Sequence, residues 1–72
     1  MTYDELYRLH YEQIYKFCYR YVGDSELAGD LCQDTFLKLF QRMKTSDNIL
    51  ENHRSWLYKV AANLSINSIQ VD

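Results

Sequence analysis

An all-α fold, a compact bundle of three main helices, is what this sequence predicts, and three observations carry the prediction. Apolar residues recur at helical spacing in three separate segments. The 72 residues contain no Pro, and the two Gly stand at positions 23 and 29, so Gly23-Asp24 is the only strong break before the middle of the chain. The composition is 47% hydrophobic and 15% aromatic, with seven Tyr, more large apolar surface than a disordered segment carries. A single domain over residues 1–72 is expected. A domain of that size buries only about 60% of the surface its unfolded chain exposes, so its stability margin is thin.

The first helix is expected over residues 3–22. It opens on Thr2-Tyr3-Asp4-Glu5, a capping-box pattern in which Thr2 and Glu5 each satisfy a free backbone N–H, and it closes at Gly23. Leu6, Leu9, Ile14, Phe17, Tyr21 and Val22 are its apolar stripe. Tyr3, Tyr7, Tyr11, Tyr15 and Tyr19 recur every four residues, a step that drifts only about 40° per repeat and makes a slowly winding ridge. The ridge could serve as a stacking platform. Packing is the better reading, because Tyr can lay its ring on the core edge and keep its hydroxyl wet.

The second helix, residues 25–44, is capped by Asp24 or Ser25 and turns Leu27, Ala28, Leu31, Cys32, Thr35, Phe36, Leu39 and Met43 to the core. Residues 45–52 mix polar turn formers without a period and read as a loop. Asn52 caps a third helix, residues 53–69, with Leu57, Val60, Ala61 and Leu64 on one face. Trp56, Lys59, Asn63 and Asn67 share a neighbouring face. An aromatic, a cation and amides side by side serve no structural need and match what a nucleic-acid surface uses.

Composition excludes several classes. The formal net charge is −2, which argues against a protein that coats nucleic acid through phosphate neutralisation alone. The charge is unevenly spread: residues 1–34 carry seven acidic and three basic side chains, residues 35–72 three acidic and five basic. Cys18 and Cys32 lie inside apolar periodic segments, lack the spacing of a zinc site and read as small core residues, so no metal is expected. No run approaches a membrane span or a signal peptide, which predicts a cytoplasmic protein without a membrane partner. There is no nucleophile, base and orienter set and no Gly-rich phosphate loop; neither enzymatic activity nor a cofactor is expected.

Three segments in order carry a family resemblance: Tyr3-Asp4-Glu5-Leu6-Tyr7 with Ile14-Tyr15-Lys16-Phe17, then Asp30-Leu31-Cys32-Gln33-Asp34-Thr35-Phe36, then Trp56-Leu57-Tyr58-Lys59-Val60-Ala61-Ala62-Asn63-Leu64. Together they resemble region two, the core-binding and minus-ten-recognition domain, of an extracytoplasmic-function (ECF) bacterial sigma factor. The resemblance implies a sigma region-two fold and a role in transcription initiation. It implies that the second helix docks on the β′ clamp coiled coil of the RNA polymerase core, through Asp30, Gln33, Asp34, Leu37 and Phe40. Residues 30, 33, 34 and 37 share one side of a helix at i, i+3 and i+4 spacing. Without the resemblance, Asp30 and Asp34 would read as a solvated face near a helix start.

The last segment resembles the region that melts the promoter minus-ten element and holds an extruded base of the non-template strand. Flipping a base costs a few kcal/mol, returned by stacking and by hydrogen bonds to the freed edge. By motif position Asn63 reads the base. Trp56 and Tyr58 stand where the family keeps aromatics, either stacking or bracing the loop. Arg54 and Lys59 pair with phosphates, His53 more weakly because it is mostly neutral near pH 7. Asn48 and Asn52 are the polar members the loop brings to the pocket. An anti-sigma factor is an expected further partner.

Two departures from the family pattern stand out. The family often has a Pro after the tyrosines where this chain has Glu12, which leaves a kink in the first helix open. The tail Leu64-Ser65-Ile66-Asn67-Ser68-Ile69-Gln70-Val71-Asp72 lacks the family's basic residues, and no region-four domain follows in this chain. The expectation is an excised domain or a short relative that binds promoter DNA weakly on its own. The competing function is a helical protein-interaction module that binds polymerase or an anti-sigma factor without base-specific readout, favoured by the acidic first half.

Overall fold

The computed structural model describes residues 2–45 and 52–69. They form α1 (Tyr3–Val22), α2 (Ser25–Thr45) and α3 (His53–Ile69), and each helix packs on both others. Residues 46–51, Asn48 among them, lie outside the described residues. The all-α bundle inferred from periodicity is the observed one, and α1 runs as one unbroken helix through Glu12.

Local chemistry sets the helix ends. Thr2 Oγ1 accepts from the Glu5 N–H at 3.2 Å while the Thr2 N–H donates to Glu5 Oε1 at 2.8 Å, a closed capping box. These bonds to its charged form hold the Glu5 carboxyl below its ordinary value. Gly23 ends α1 at φ 67° with its N–H on the Tyr19 carbonyl at 2.8 Å. This is left-handed backbone that glycine adopts without the Cβ penalty. Asp24 rather than Ser25 is the cap of α2, its Oδ1 accepting from Leu27 N–H at 3.0 Å. Asn52 Oδ1 does the same for α3, accepting from Arg54 N–H at 2.8 Å. The end of α2 falls one residue beyond the expected position, at Thr45, whose hydroxyl donates back to the Gln41 carbonyl at 3.1 Å.

The core is Leu6, Ile14, Cys18, Ala28, Leu31, Cys32, Phe36, Leu39, Leu57 and Ala61, with Thr35 and Ser65 as its buried polar residues. Thr35 satisfies its hydroxyl on the Leu31 carbonyl at 2.8 Å. Both cysteines are free thiols in this core. Burial pushes the Cys32 thiol up to about 12 and raises Cys18 as well, the latter partly offset by the Ser65 side chain.

Two stripe residues of α1 depart from the sequence reading. Leu9 is 58% exposed; it lies five residues before Ile14, which at about 100° per residue puts it some 140° around the helix. Tyr21 is on the right face but in the last turn, 39% exposed, with the Phe17 ring edge-on to it at 5.2 Å. Conversely Ser65, absent from the expected core, is fully buried. Its place is fixed by Leu57 and Ala61, at i−8 and i−4, and a small polar side chain there escapes a search for apolar residues.

Of the tyrosine ridge, Tyr3, Tyr7, Tyr11 and Tyr15 pack against the core. Tyr7 and Tyr11 lie on the Phe36 ring at 4.9 and 5.9 Å, and Tyr3 meets Phe40 edge-on at 5.2 Å. Such ring pairs add about 0.5–1.5 kcal/mol each beyond area burial. Tyr19 is the exposed member.

Candidate functional site

Two surfaces emerge from this packing. The first is a groove between α1 and α2, a cavity of about 400 Å³ lined by Tyr3, Tyr7, Gln33, Asp34, Leu37 and Phe40. Its α2 wall follows from helix geometry. Cys32, Thr35, Phe36 and Leu39 are buried, so the alternating positions Gln33, Asp34, Leu37 and Phe40 must face outward. Leu37 and Phe40 remain 52% and 41% exposed, two large apolar side chains beside an amide and a carboxylate. A single helix of a partner, presenting apolar anchors and hydrogen-bonding groups, is the natural complement.

Four of the five expected docking residues thus line one cavity, while Asp30, exposed, sits one turn before Asp34 and outside its lining. The groove also contains residues that the sequence reading gave to packing alone. Tyr3 and Tyr7 both brace the core and form the α1 wall. Their four-residue spacing was visible; that their outer edges border a groove needed the placement of α2. Burial holds the Tyr3 and Tyr11 hydroxyls above their ordinary value, and the Gln33 amide acts in the opposite direction on Tyr11. Lys44 lies over the Phe40 ring at 5.4 Å, closing the C-terminal end of the wall with a cation.

The second surface is the outer side of α3. Trp56 and Asn63 are seven residues apart, about 20° around the helix, with Lys59 between them, so the three share one flank. Lys59 and Asn63 are exposed and Trp56 is half-buried. The Arg42 guanidinium, from α2, stacks over the Trp56 ring at 4.9 Å. Arg42, in the last turn of α2, is not among the residues expected from the sequence.

Tyr58 is not on that flank. Two residues from Trp56 is about 200° around the helix, and the Tyr58 ring meets Phe17 edge-on at 4.9 Å while its hydroxyl donates to Gln13 Oε1 at 3.4 Å. Arg54 goes with it, its guanidinium 5.4 Å from the Tyr58 ring centroid. His53 is half-buried with Nδ1 shielded from solvent. Burial, then Arg54, then His53 push the His10 imidazole below its ordinary value, so these three groups meet where α1 crosses the start of α3. Asn52 is committed to its cap. Of the residues expected at a nucleic-acid surface, the structure therefore groups Trp56, Lys59 and Asn63 on one side of α3 and Arg54 and Tyr58 on the other. Asn48 is outside the described residues. Among the described residues no group of three or more His, Cys, Asp or Glu could hold a metal ion, and no helix is long and apolar enough to cross a membrane.

Comparison with known proteins gives these surfaces a context. The family model described as Sigma-70 region 2 matches residues 6–71. The chain is 31% identical over 70 residues to the ECF RNA polymerase sigma factor SigM of Bacillus subtilis, covering 97% of this chain and 42% of that protein. It is 32% identical over 62 residues to ECF RNA polymerase sigma factor SigW of the same organism, covering 86% of this chain and 33% of that one. It is 36% identical over 64 residues to the B. subtilis RNA polymerase sigma factor YlaC, covering 89% and 36%. The chain thus spans between a third and about two fifths of the relatives it matches. No solved structure matches it significantly.

Proposed function

The chain belongs to the Sigma-70 region 2 family, and from that premise we propose that it acts in transcription initiation as an ECF sigma factor domain, in the cytoplasm. It docks on the β′ clamp coiled coil of the RNA polymerase core and recognises and melts the promoter minus-ten element. The observation that carries the reading is the α1–α2 groove, which gathers Gln33, Asp34, Leu37 and Phe40. These are the positions that the family resemblance assigns to the clamp.

In this reading Leu37 and Phe40 are the apolar anchors and Gln33 makes the central hydrogen bonds. Asp34 and Asp30 supply charge that selects a basic helix and speeds encounter more than it adds affinity. Asn63 reads the extruded base, since its amide both donates and accepts. Trp56, held under Arg42, offers the ring on which a base stacks, and Lys59 meets the adjoining phosphate. Tyr58 serves as a brace onto α1. An anti-sigma factor regulates the domain by covering one of these surfaces. The competing reading, a protein-interaction module without base readout, draws on the modest cationic charge of the Asn63 flank, where Lys59 and Arg42 are the described cations.

The test is binding of a single-stranded minus-ten oligonucleotide in the presence of core polymerase. Tighter binding than to a scrambled strand, abolished in Asn63→Ala, is the expected result. Equal binding to both strands and indifference to Asn63 would leave the interaction-module reading in its place.

A further inference from the structure

One charged surface is used by neither site. Between α1 and α3 lies a cavity of about 190 Å³ lined by Gln13, Lys16, Phe17, Arg20 and Tyr58. On the far side of the Lys16–Arg20 pair a second cavity of about 360 Å³ is lined by Tyr15, Lys16, Tyr19 and Arg20. Lys16 and Arg20 thus form a cationic ridge, one helical turn apart, with an aromatic floor on each side. Arg54 stands over the Tyr58 ring and adds a third cation at the α3 edge. No Asp or Glu is among the residues lining either cavity. Glu12 pairs with Lys16 at 3.1 Å, but both side chains are strongly exposed, at 80% and 68%. An exposed pair of this kind holds its partners weakly and yields to a competing anion.

This ridge is chemically opposite to the groove on the other side of α1, where Asp34 and apolar side chains line the wall. We propose that it binds the sugar–phosphate backbone of DNA without regard to sequence. Lys16, Arg20 and Arg54 make the phosphate contacts, and Tyr58 and Phe17 form an apolar floor against the sugars. The placement supports this occupant: Lys16 and Arg20 stand one helical turn apart with Cβ atoms about 5–6 Å from each other, so their long side chains can reach neighbouring phosphates of one strand, while Arg54 reaches from the second helix. Phosphate contacts position a protein on DNA and carry affinity, whereas base contacts specify. The ridge therefore supplies the electrostatic support that the Asn63 flank has little of. This inference rests on the transcription-initiation reading above, which provides the DNA.

The test uses the full chain with core polymerase and a fork-junction DNA, a duplex ending in a single-stranded minus-ten segment, titrated over a range of salt. Lys16 and Arg20 are exposed, so the double variant Lys16→Gln, Arg20→Gln keeps its helical CD signal. Losing two phosphate contacts at about 0.9 each makes the log–log salt slope shallower by about 1.8. Between 50 and 200 mM salt the variant then loses about tenfold less affinity than the wild type, equally for matched and scrambled sequences. The exchange Lys16→Arg, Arg20→Lys restores the wild-type slope. An unchanged slope in the double variant overturns the proposal. So does a loss of polymerase association with the DNA slope intact, which would assign the ridge to an acidic protein surface. Asn63→Ala separates the two readings: it removes sequence discrimination and leaves the salt slope alone. Failure of that result alone defeats base reading and spares the ridge.

Discussion

The α1–α2 groove and the Trp56–Asn63 flank of α3 are built on different principles. The groove is the outer side of a wall whose inner side is core: Gln33, Asp34, Leu37 and Phe40 alternate with Cys32, Thr35, Phe36 and Leu39, all four of which are buried. Its shape cannot change without disturbing Phe36 and the tyrosines stacked on it. The α3 flank has no comparable backing at Asn63 and Lys59, which stand exposed; Trp56 alone of the three is packed on the core, with the Arg42 guanidinium over its ring. A docking surface for a fixed partner gains from rigidity. A surface that must accept a base leaving its stack is better built from side chains that the core does not immobilise, at a cost in ordering when the base arrives.

The sharpest way to break this contrast is to remove what backs the groove. Phe36→Ala should cost about 3–5 kcal/mol, a large part of the stability of a domain this small. The thermal melt by CD should fall steeply, and the groove should be lost with it. A small shift in the melt would mean that the groove does not depend on the core. Gln33→Ala acts at the surface of the same wall. Polymerase association should weaken by about 1–2 kcal/mol, the worth of a central hydrogen bond between partners, with the CD melt unchanged; an unchanged pull-down would remove Gln33 from its role.

Smaller effects separate the helix ends. Thr2→Ala opens the capping box and should lower stability by about 1 kcal/mol. Gly23→Ala meets no atom within 4 Å, so its whole cost, also about 1 kcal/mol, comes from backbone held at φ 67°. Both should appear as modest drops in the denaturant midpoint without loss of either binding activity.

The smallest expected effect is on pH dependence. Burial, Arg54 and His53 hold His10 below its ordinary value of 6.5, so above that value it is neutral in both states. As pH falls below 6.5 the unfolded chain takes up the proton first and stability declines, until the folded protein also protonates. His10→Gln should flatten the melting temperature between pH 7 and 5; an equally steep profile would place the acid sensitivity elsewhere.

How much of this was legible in the sequence depended on which periodicity a residue obeyed. All eight core-facing positions expected of α2 are buried or half-buried, because an unbroken 3.6-residue pattern leaves little choice. Leu9 was misplaced because it is apolar and near the stripe, although some 140° from Ile14. Ser65 was missed because small polar residues carry no hydrophobic signal. The expected nucleic-acid set joined Trp56 and Tyr58 through motif adjacency, and residues two apart on a helix face opposite ways. Arg42 and the α1 wall of the groove were beyond reach because they depend on how one helix lies against another.

The central claim is that one small bundle holds two separable surfaces, one for polymerase and one for a base. It is tested most directly by measuring, with core polymerase present, the binding of matched and scrambled minus-ten strands to the wild type, Gln33→Ala and Asn63→Ala. Gln33→Ala should weaken both strands equally, through loss of the complex. Asn63→Ala should weaken only the matched strand, by about 1–3 kcal/mol, the worth of a good base contact. If Asn63→Ala weakens both alike, or Gln33→Ala neither, the division of labour between the two surfaces is wrong.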